Sequence, residues 1–465
     1  MPARAGRARV SGDTVFRGAT AVLPGGPVLA DVVVGGGVVT AVAAPGTLSA
    51  DEVVDVRDRI LLPGAVDVHV HFRQPGFEHK EDFRTGSAAA ACGGVTTVCD
   101  MPNTHPPVSS AERFRAKRDL VEGTSHVDHG LWAGGTDLPE LAAMAGLGAV
   151  GVKVYLNRSH RADDPYADEL SMPDAGTLST LFRACASWAL PVAVHVADHD
   201  QEVRLRARLR AASTTDARLV SRSYRGDGVL DALARVLAAA AGTGCRVHIA
   251  HASLAPVAAL DRIDAARRAG VRVTAECGPP ALLEDDLDRL GVLGVPFAFP
   301  AGDAEAYWSA LADGRVDLVA TDHAPHTRQD KAAGLDDVWA APPGYPGVET
   351  VLPLMVDAVL AGRLSWSRLA ELTSAAPARL CGLGGKGAIT PGADADLVVV
   401  DPAATTTVDA ARLHSRAGWS PFDGRRLAGA VTATYLRGRA IARDGELLPG
   451  PPAGRFLTPE GRARP

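Results

Sequence analysis

A chain of 465 residues is too long for one small domain and suits a large barrel with an accessory domain. Hydrophobic residues make up 46%, enough to build a large core, while a net charge of −6 gives no reason to expect a nucleic-acid partner. No run approaches the ~20 apolar residues of a membrane span, and Arg4, Arg7 and Arg9 precede no apolar signal stretch, so the chain reads as soluble and cytoplasmic.

From Thr14 to Leu62 the sequence is Val-rich, broken by Gly and Pro, and free of helical period. Residues 30–34 and 38–42 read as short strands joined by turns. The same texture returns at 395–401 and 430–436. The two ends are therefore expected to pair into a small composite β-sandwich domain, residues 1–63 with 385–465. Between them, residues 64–384 repeat strand, loop and helix. Candidate strands are 66–71, 95–101, 129–133, 150–155, 192–196, 247–251, 272–276 and 318–321, with helical stretches such as 175–189, 230–241 and 256–269 between them. Eight such units predict an α/β fold, a (β/α)₈ TIM-like barrel, whose strand ends converge on one mouth. An open doubly wound sheet is the alternative, but it would not bring the first and eighth strands together. The densest basic stretch, Arg204 to Arg210, reads as the solvated face of a helix. Six cysteines form no C-x-x-C pair and read as small buried apolar residues.

Chemistry-bearing side chains sit at the ends of these apolar runs. His69 and His71 are two apart in a strand, so their imidazoles share a face, and imidazole suits zinc. Lys153 is flanked by apolar residues. Burial without a partner lowers an ammonium's pKa, and the neutral amine can take up carbon dioxide as a carbamate that bridges two cations. A buried Lys–Asp ion pair is the alternative. His195 ends another run. His248 and His251 are three apart, so on a strand they face opposite sides; His251, nearer the C-terminal end, is the better ligand, and His248 reads as a packed or hydrogen-bonded core histidine. Asp322 opens Asp-His-Ala-Pro-His-Thr, with His326 beside it. A carboxylate there can bind metal, take the proton of a water whose pKa the metal lowers to roughly 7, and pass it to a leaving nitrogen.

The stretch from Asp67 to Asp82, with residues 90–98 and Met101-Pro-Asn-Thr104, resembles the cyclic amidohydrolases and within them the dihydroorotases. Residues 152–157, 322–327, 342–350 and 419–424 are similar to the dihydroorotase domain of the animal multifunctional pyrimidine enzyme. The resemblance spans roughly residues 14 to 450. It implies interconversion of dihydroorotate and water with N-carbamoyl-aspartate in pyrimidine biosynthesis. It further implies two zinc ions, one held by His69, His71, carboxylated Lys153 and Asp322, the other by Lys153, His195 and His251. A bridging hydroxide then attacks the ring carbonyl, with Asp322 as catalytic proton shuttle. Arg73, Asn103 and His326 match the substrate-binding positions, and a guanidinium offers two parallel donors to a carboxylate. A homo-oligomer, possible association with aspartate transcarbamoylase, and lids at 157–168 and 323–347 complete that expectation.

Three segments depart from the family pattern. Cys277-Gly-Pro-Pro-Ala281 stands where Pro-His-His is common, Val295–Pro300 lacks a second cationic substrate contact, and Ala250 replaces a cysteine. A missing charge-assisted bond corresponds to about 1.5–3 kcal/mol. These departures motivate a second reading, an allantoinase-like or hydantoinase-like enzyme, or one acting on a ring of specialised metabolism. A non-catalytic scaffold is the third, and it normally goes with lost metal ligands; here all six are present.

Overall fold

The computed structural model describes residues 8–9, 14–158, 168–172, 175–213, 215–223, 228–283, 287–295 and 303–460. Eight parallel units alternate with helices. The barrel strands are Ala65–Val70, Val95–Asp100, Asp128–Leu131 continued by Ala133–Gly134, Val152–Tyr155, Pro191–His195, Arg246–Ile249, Val273–Cys277 and Leu318–Val319. Most are rich in apolar or β-branched residues because helices cover one face and the barrel interior the other, while the third, Asp128-His-Gly-Leu131, is not. The third strand bends at Trp132: its first part pairs with strand two and its second with strand four. Hydrogen bonds from Val150 N–H to the Leu131 carbonyl (3.0 Å) and from Ala133 N–H to the Gly151 carbonyl (2.9 Å) keep the seam continuous. On the far side, His71 N–H donates to the His323 carbonyl at 2.7 Å, and Val70 bridges His323 in parallel. The expected barrel is therefore present and closed. Its floor is filled by Val66, Val68, Met101, Trp132, Val150 and Leu318.

The outer helices start where the sequence offers caps. Helix Phe83–Cys92 follows Asp82, whose carboxylate takes the Thr85 N–H while Thr85 returns a bond to the Asp82 N–H. Helix Ala111–Val121 follows Ser110 in the same role. One helix departs from expectation. In His199–Ala211, Arg206 is buried with its guanidinium over the Trp339 ring, 5.1 Å from the centroid, so the basic stretch is not wholly a solvated face. All six cysteines are free and buried, as expected.

The chain ends build a mostly antiparallel nine-stranded sheet. Its halves join where Ile60–Pro63 pairs with Leu397–Thr407, and Phe16 meets Tyr435 edge-on at 4.7 Å in its core. No helix among the described residues is long and apolar enough to cross a membrane.

Sheet and barrel are tied by a buried ion cluster. Lys386 Nζ lies 2.5–2.8 Å from carboxylates of Asp128, Asp394 and Asp396, and Arg437 also grips Asp128. Burial alone would lower the Lys386 pKa, but Asp396 and Asp128 hold it above its ordinary value. The C-terminal segment then crosses the barrel floor, where Arg455 N–H reaches Asp128 and His129 exchanges backbone bonds with Arg455 and Leu457. Truncating one partner of a buried ion network strands the others, so Lys386→Ala should cost about 3–5 kcal/mol of stability. Denaturant titration reads this directly, and a loss below 1 kcal/mol would refute the cluster's role.

Candidate active site

The barrel seam sets the site. Asp67, buried in strand one, accepts the N–H groups of His69 (3.2 Å) and Thr321 (3.1 Å) and the Thr321 hydroxyl. Strand one is thereby stapled to the segment after strand eight, bringing two histidines beside Asp322. His71 Nε2 lies 3.0 Å and His69 Nε2 3.3 Å from Asp322 Oδ1. Lys153, from strand four, is fully buried with Nζ 3.5 Å from His69 Nε2. His195 ends strand five, and its Nδ1 is 2.9 Å from His251 Nε2. The His251 ring lies 5.6 Å from that of His69. All six predicted ligands thus converge at the C-terminal mouth of the barrel. Three site residues carry left-handed backbones: Arg73 (φ 62°), His251 (33°) and Asp322 (50°). Such conformations cost on the order of 1–3 kcal/mol each and persist where the surroundings over-determine them.

Oxygen acceptors behind the two rings of strand one fix their tautomers. His69 Nδ1 donates to Glu276 Oε1 at 2.5 Å, and His71 Nδ1 donates to Asn103 Oδ1 at 2.6 Å. Both rings therefore turn a bare Nε2 toward Asp322. Burial pushes His71 and His251 down to about 3 and His195 well below its ordinary value, so these imidazoles are neutral at pH 7. Burial likewise lowers Lys153 to about 8. At Asp322 burial opposes ionisation, but His69, His71 and His251 outweigh it and hold the carboxyl well below the usual range. Neutral imidazoles, an ionised carboxylate and an easily deprotonated amine fit a pair of divalent cations, with His69, His251 and Asp322 already offering donor atoms within 4.8 Å of one another.

The predicted substrate residues lie beside this cluster. Arg73 Nη2 is 3.3 Å from His326 Nε2, and Arg73 Nε donates to the Pro325 carbonyl. His326 Nδ1 is buried without a hydrogen-bonding partner. Burial, then the charges of Arg73, Lys80 and Lys331, lower its pKa well below the ordinary value. Asn103 touches His71 and so links the substrate end to the ligands. Gly344 keeps the 342–350 turn close: a Cβ there would lie 2.3 Å from the Ala324 carbonyl oxygen. Of the two expected lids, residues 159–167 lie outside the described residues, whereas 323–347 is anchored, Lys331 Nζ donating to the Val295 carbonyl at 2.9 Å.

Glu276 escaped the sequence reading. So did its link to His248, whose Nε2 donates to Glu276 Oε2 at 2.8 Å. The expectation that His248 and His251 face opposite sides assumed one strand, but the strand ends at Ile249 and His251 turns left-handed. Glu276 was legible only as a buried acid two residues after Thr274 on one strand face.

The buried imidazoles set a pH dependence. Their folded pKa values lie below 6.5, so the unfolded state binds protons first, and stability falls as pH drops from about 6.5 toward 3. Asp67, raised by burial to about 6, opposes this between 6 and 3.8, one carboxyl against several imidazoles. Metal-stripped protein should melt lower at pH 5 than at pH 7, with a shallower difference in His251→Asn; an unchanged melting temperature contradicts the neutral-imidazole account.

Residues 60–441 match the amidohydrolase family model. The chain is 36% identical over 456 residues to an allantoinase of Rubrobacter xylanophilus, covering 96% of this chain and 98% of that one. It is 40% identical over 408 residues to a dihydroorotase of Halobacterium salinarum, covering 86% and 89%. The solved L-hydantoinase of Arthrobacter aurescens superposes with a TM-score of 0.90 at 32% identity, over 96% of this chain and 99% of that one. With the ligand-bearing barrel, these matches establish that the chain belongs to the amidohydrolase family, as a hydrolase of cyclic amides.

Proposed function

We propose that this enzyme is a dihydroorotase, interconverting dihydroorotate and water with N-carbamoyl-aspartate. The observation that carries the reading is the buried cationic edge of the site, where Arg73 meets His326 with Lys80 close enough to act on the same ring. A positive field of that kind suits a ring bearing a carboxylate, and it offsets the absent second arginine in 295–300. The Arg73 guanidinium supplies paired N–H donors for that carboxylate.

Two zinc ions, the cations this donor set favours, would supply an acidified water and a Lewis acid for the ring carbonyl. His69, His71, Lys153 and Asp322 would hold one, and Lys153, His195 and His251 the other. Lys153 would serve both, since its lowered pKa favours the neutral amine that can take up carbon dioxide. Asp322 accepts the proton shed by the attacking water. As the carbon–oxygen bond forms and the ring carbon–nitrogen bond breaks, it returns that proton to the leaving nitrogen. Asn103 steadies His71 while lying next to the substrate positions.

A second reading rests on extent of similarity. The allantoinase and L-hydantoinase relatives align over 96% of this chain, against 86% for the dihydroorotase of H. salinarum. On that reading the same donors open an uncharged ring.

A substrate panel separates the two. Arg73→Ala should weaken turnover of carboxylated rings roughly tenfold or more and spare allantoin and hydantoins. Faster wild-type turnover of an uncharged ring than of dihydroorotate defeats the first reading. Ring closure consumes a proton, so cyclisation should dominate at mildly acidic pH and opening at alkaline pH. Asp322→Asn, nearly isosteric, should lose about 10²–10⁴-fold in kcat on whichever ring is opened, and a loss under fivefold rules out the shuttle.

A further inference from the structure

Strand seven contributes no ligand, yet its Glu276 touches three histidines. Oε1 accepts both the His69 imidazole N–H and the backbone N–H of His251 (2.8 Å), and Oε2 accepts from His248 Nε2. His248 Nδ1 in turn faces the Thr274 hydroxyl at 2.9 Å. The register explains the convergence: His248 pairs with Thr274 across strands six and seven, and Glu276 shares Thr274's face one step nearer the mouth. All four side chains but Thr274 are almost fully buried.

We propose that Glu276 is the positioning residue of the metal centre, tying the His69 and His251 donors together and raising the basicity of His69 through its Nδ1 proton. One oxygen serves a donor from strand one and a donor from the turn after strand six, residues assigned above to different cations. The carboxylate therefore couples the spacing of the two ligand sets. It also enforces the Nδ1–H tautomer of His69, leaving Nε2 for the metal, and a carboxylate behind an imidazole makes that imidazole a stronger ligand. His248, with its outer nitrogen on Thr274, keeps the carboxylate from rotating away. This inference rests on the metal-binding reading of the six donors but not on the identity of the ring substrate.

The test compares wild type with Glu276→Gln. A glutamine fills the same space, keeps an oxygen toward His69 Nδ1, and donates to His248 if that ring shifts its proton to Nδ1 and gives it to Thr274. Metal-free Glu276→Gln should therefore melt close to wild type, while a zinc-chelator competition should show zinc held roughly 10- to 100-fold more weakly. Equal zinc affinity in the two proteins overturns the proposal. Should the variant not fold, nitrogen-15 spectra of wild type decide: a protected, strongly downfield Nδ1 proton on His69 supports the assignment, and a proton on Nε2 overturns it. Wild-type protein that retains no zinc would overturn the metal reading itself, and this proposal with it.

Discussion

Everything at the mouth depends on one seam, the closure of strand one against the segment after strand eight. Asp67 is its staple. A single buried carboxylate collects two backbone N–H groups and a hydroxyl from the two sides, and the adjacent His71–His323 backbone bond continues the closure. Because side chains alternate along a strand, fixing Asp67 fixes His69 and His71 on the same face, two and four residues on. Because Thr321 is held from the other side, Asp322 begins where the strand lets go, and its left-handed backbone turns the carboxylate back over the histidines. A seam of this kind cannot drift by one residue without sending the whole H-x-H pair to the wrong face.

Burial then does the electrostatic work. The site crowds several imidazoles, a lysine and an arginine into a space where charged cations are penalised. The imidazoles respond by staying neutral, which is the state a metal needs. Negative charge is held at two points: Asp322 beside His69, His71 and His251, and Glu276, which accepts N–H groups from His69, His248 and His251. Asp67 lacks a cationic partner at hydrogen-bonding distance, and its pKa rises accordingly. The contrast sets the ionised Asp322 apart from Asp67, whose carboxyl works as a hydrogen-bonded staple.

Much of this was legible in the chain because the informative signals are local. The H-x-H pair on a strand, a lysine inside an apolar run, and an aspartate at a strand end each carry their own geometry, and the alternation of strand and helix supplies the convergence. What escaped was what depends on where a strand stops. His251 gains its place through a left-handed turn that no period-two count anticipates, and Glu276 gains its role only because strands one, six and seven meet. Likewise Arg206 looked solvated until Trp339, more than a hundred residues later, was folded against it. The segments at 159–167 and 296–300, where the pattern departed or a lid was expected, fall outside the described residues.

The two ends of the site are held by different parts of the molecule. The ligand end is fixed within the barrel, by Asp67 and Glu276. The end bearing Arg73 and His326 is reached by the connection between strands Leu397–Thr407 and Arg426–Leu436: Ser415 and Arg416 bond Glu81 and Asp82, Trp419 Nε1 donates to the His326 carbonyl at 2.8 Å, and Arg328 bonds the Gly418 carbonyl. His326, and through it Arg73, therefore answers to the terminal domain, whereas the metal donors do not. The histidines and Asp322 are thus held by the seam, while Arg73 and His326 sit where the barrel meets the segment packed on it from the terminal domain.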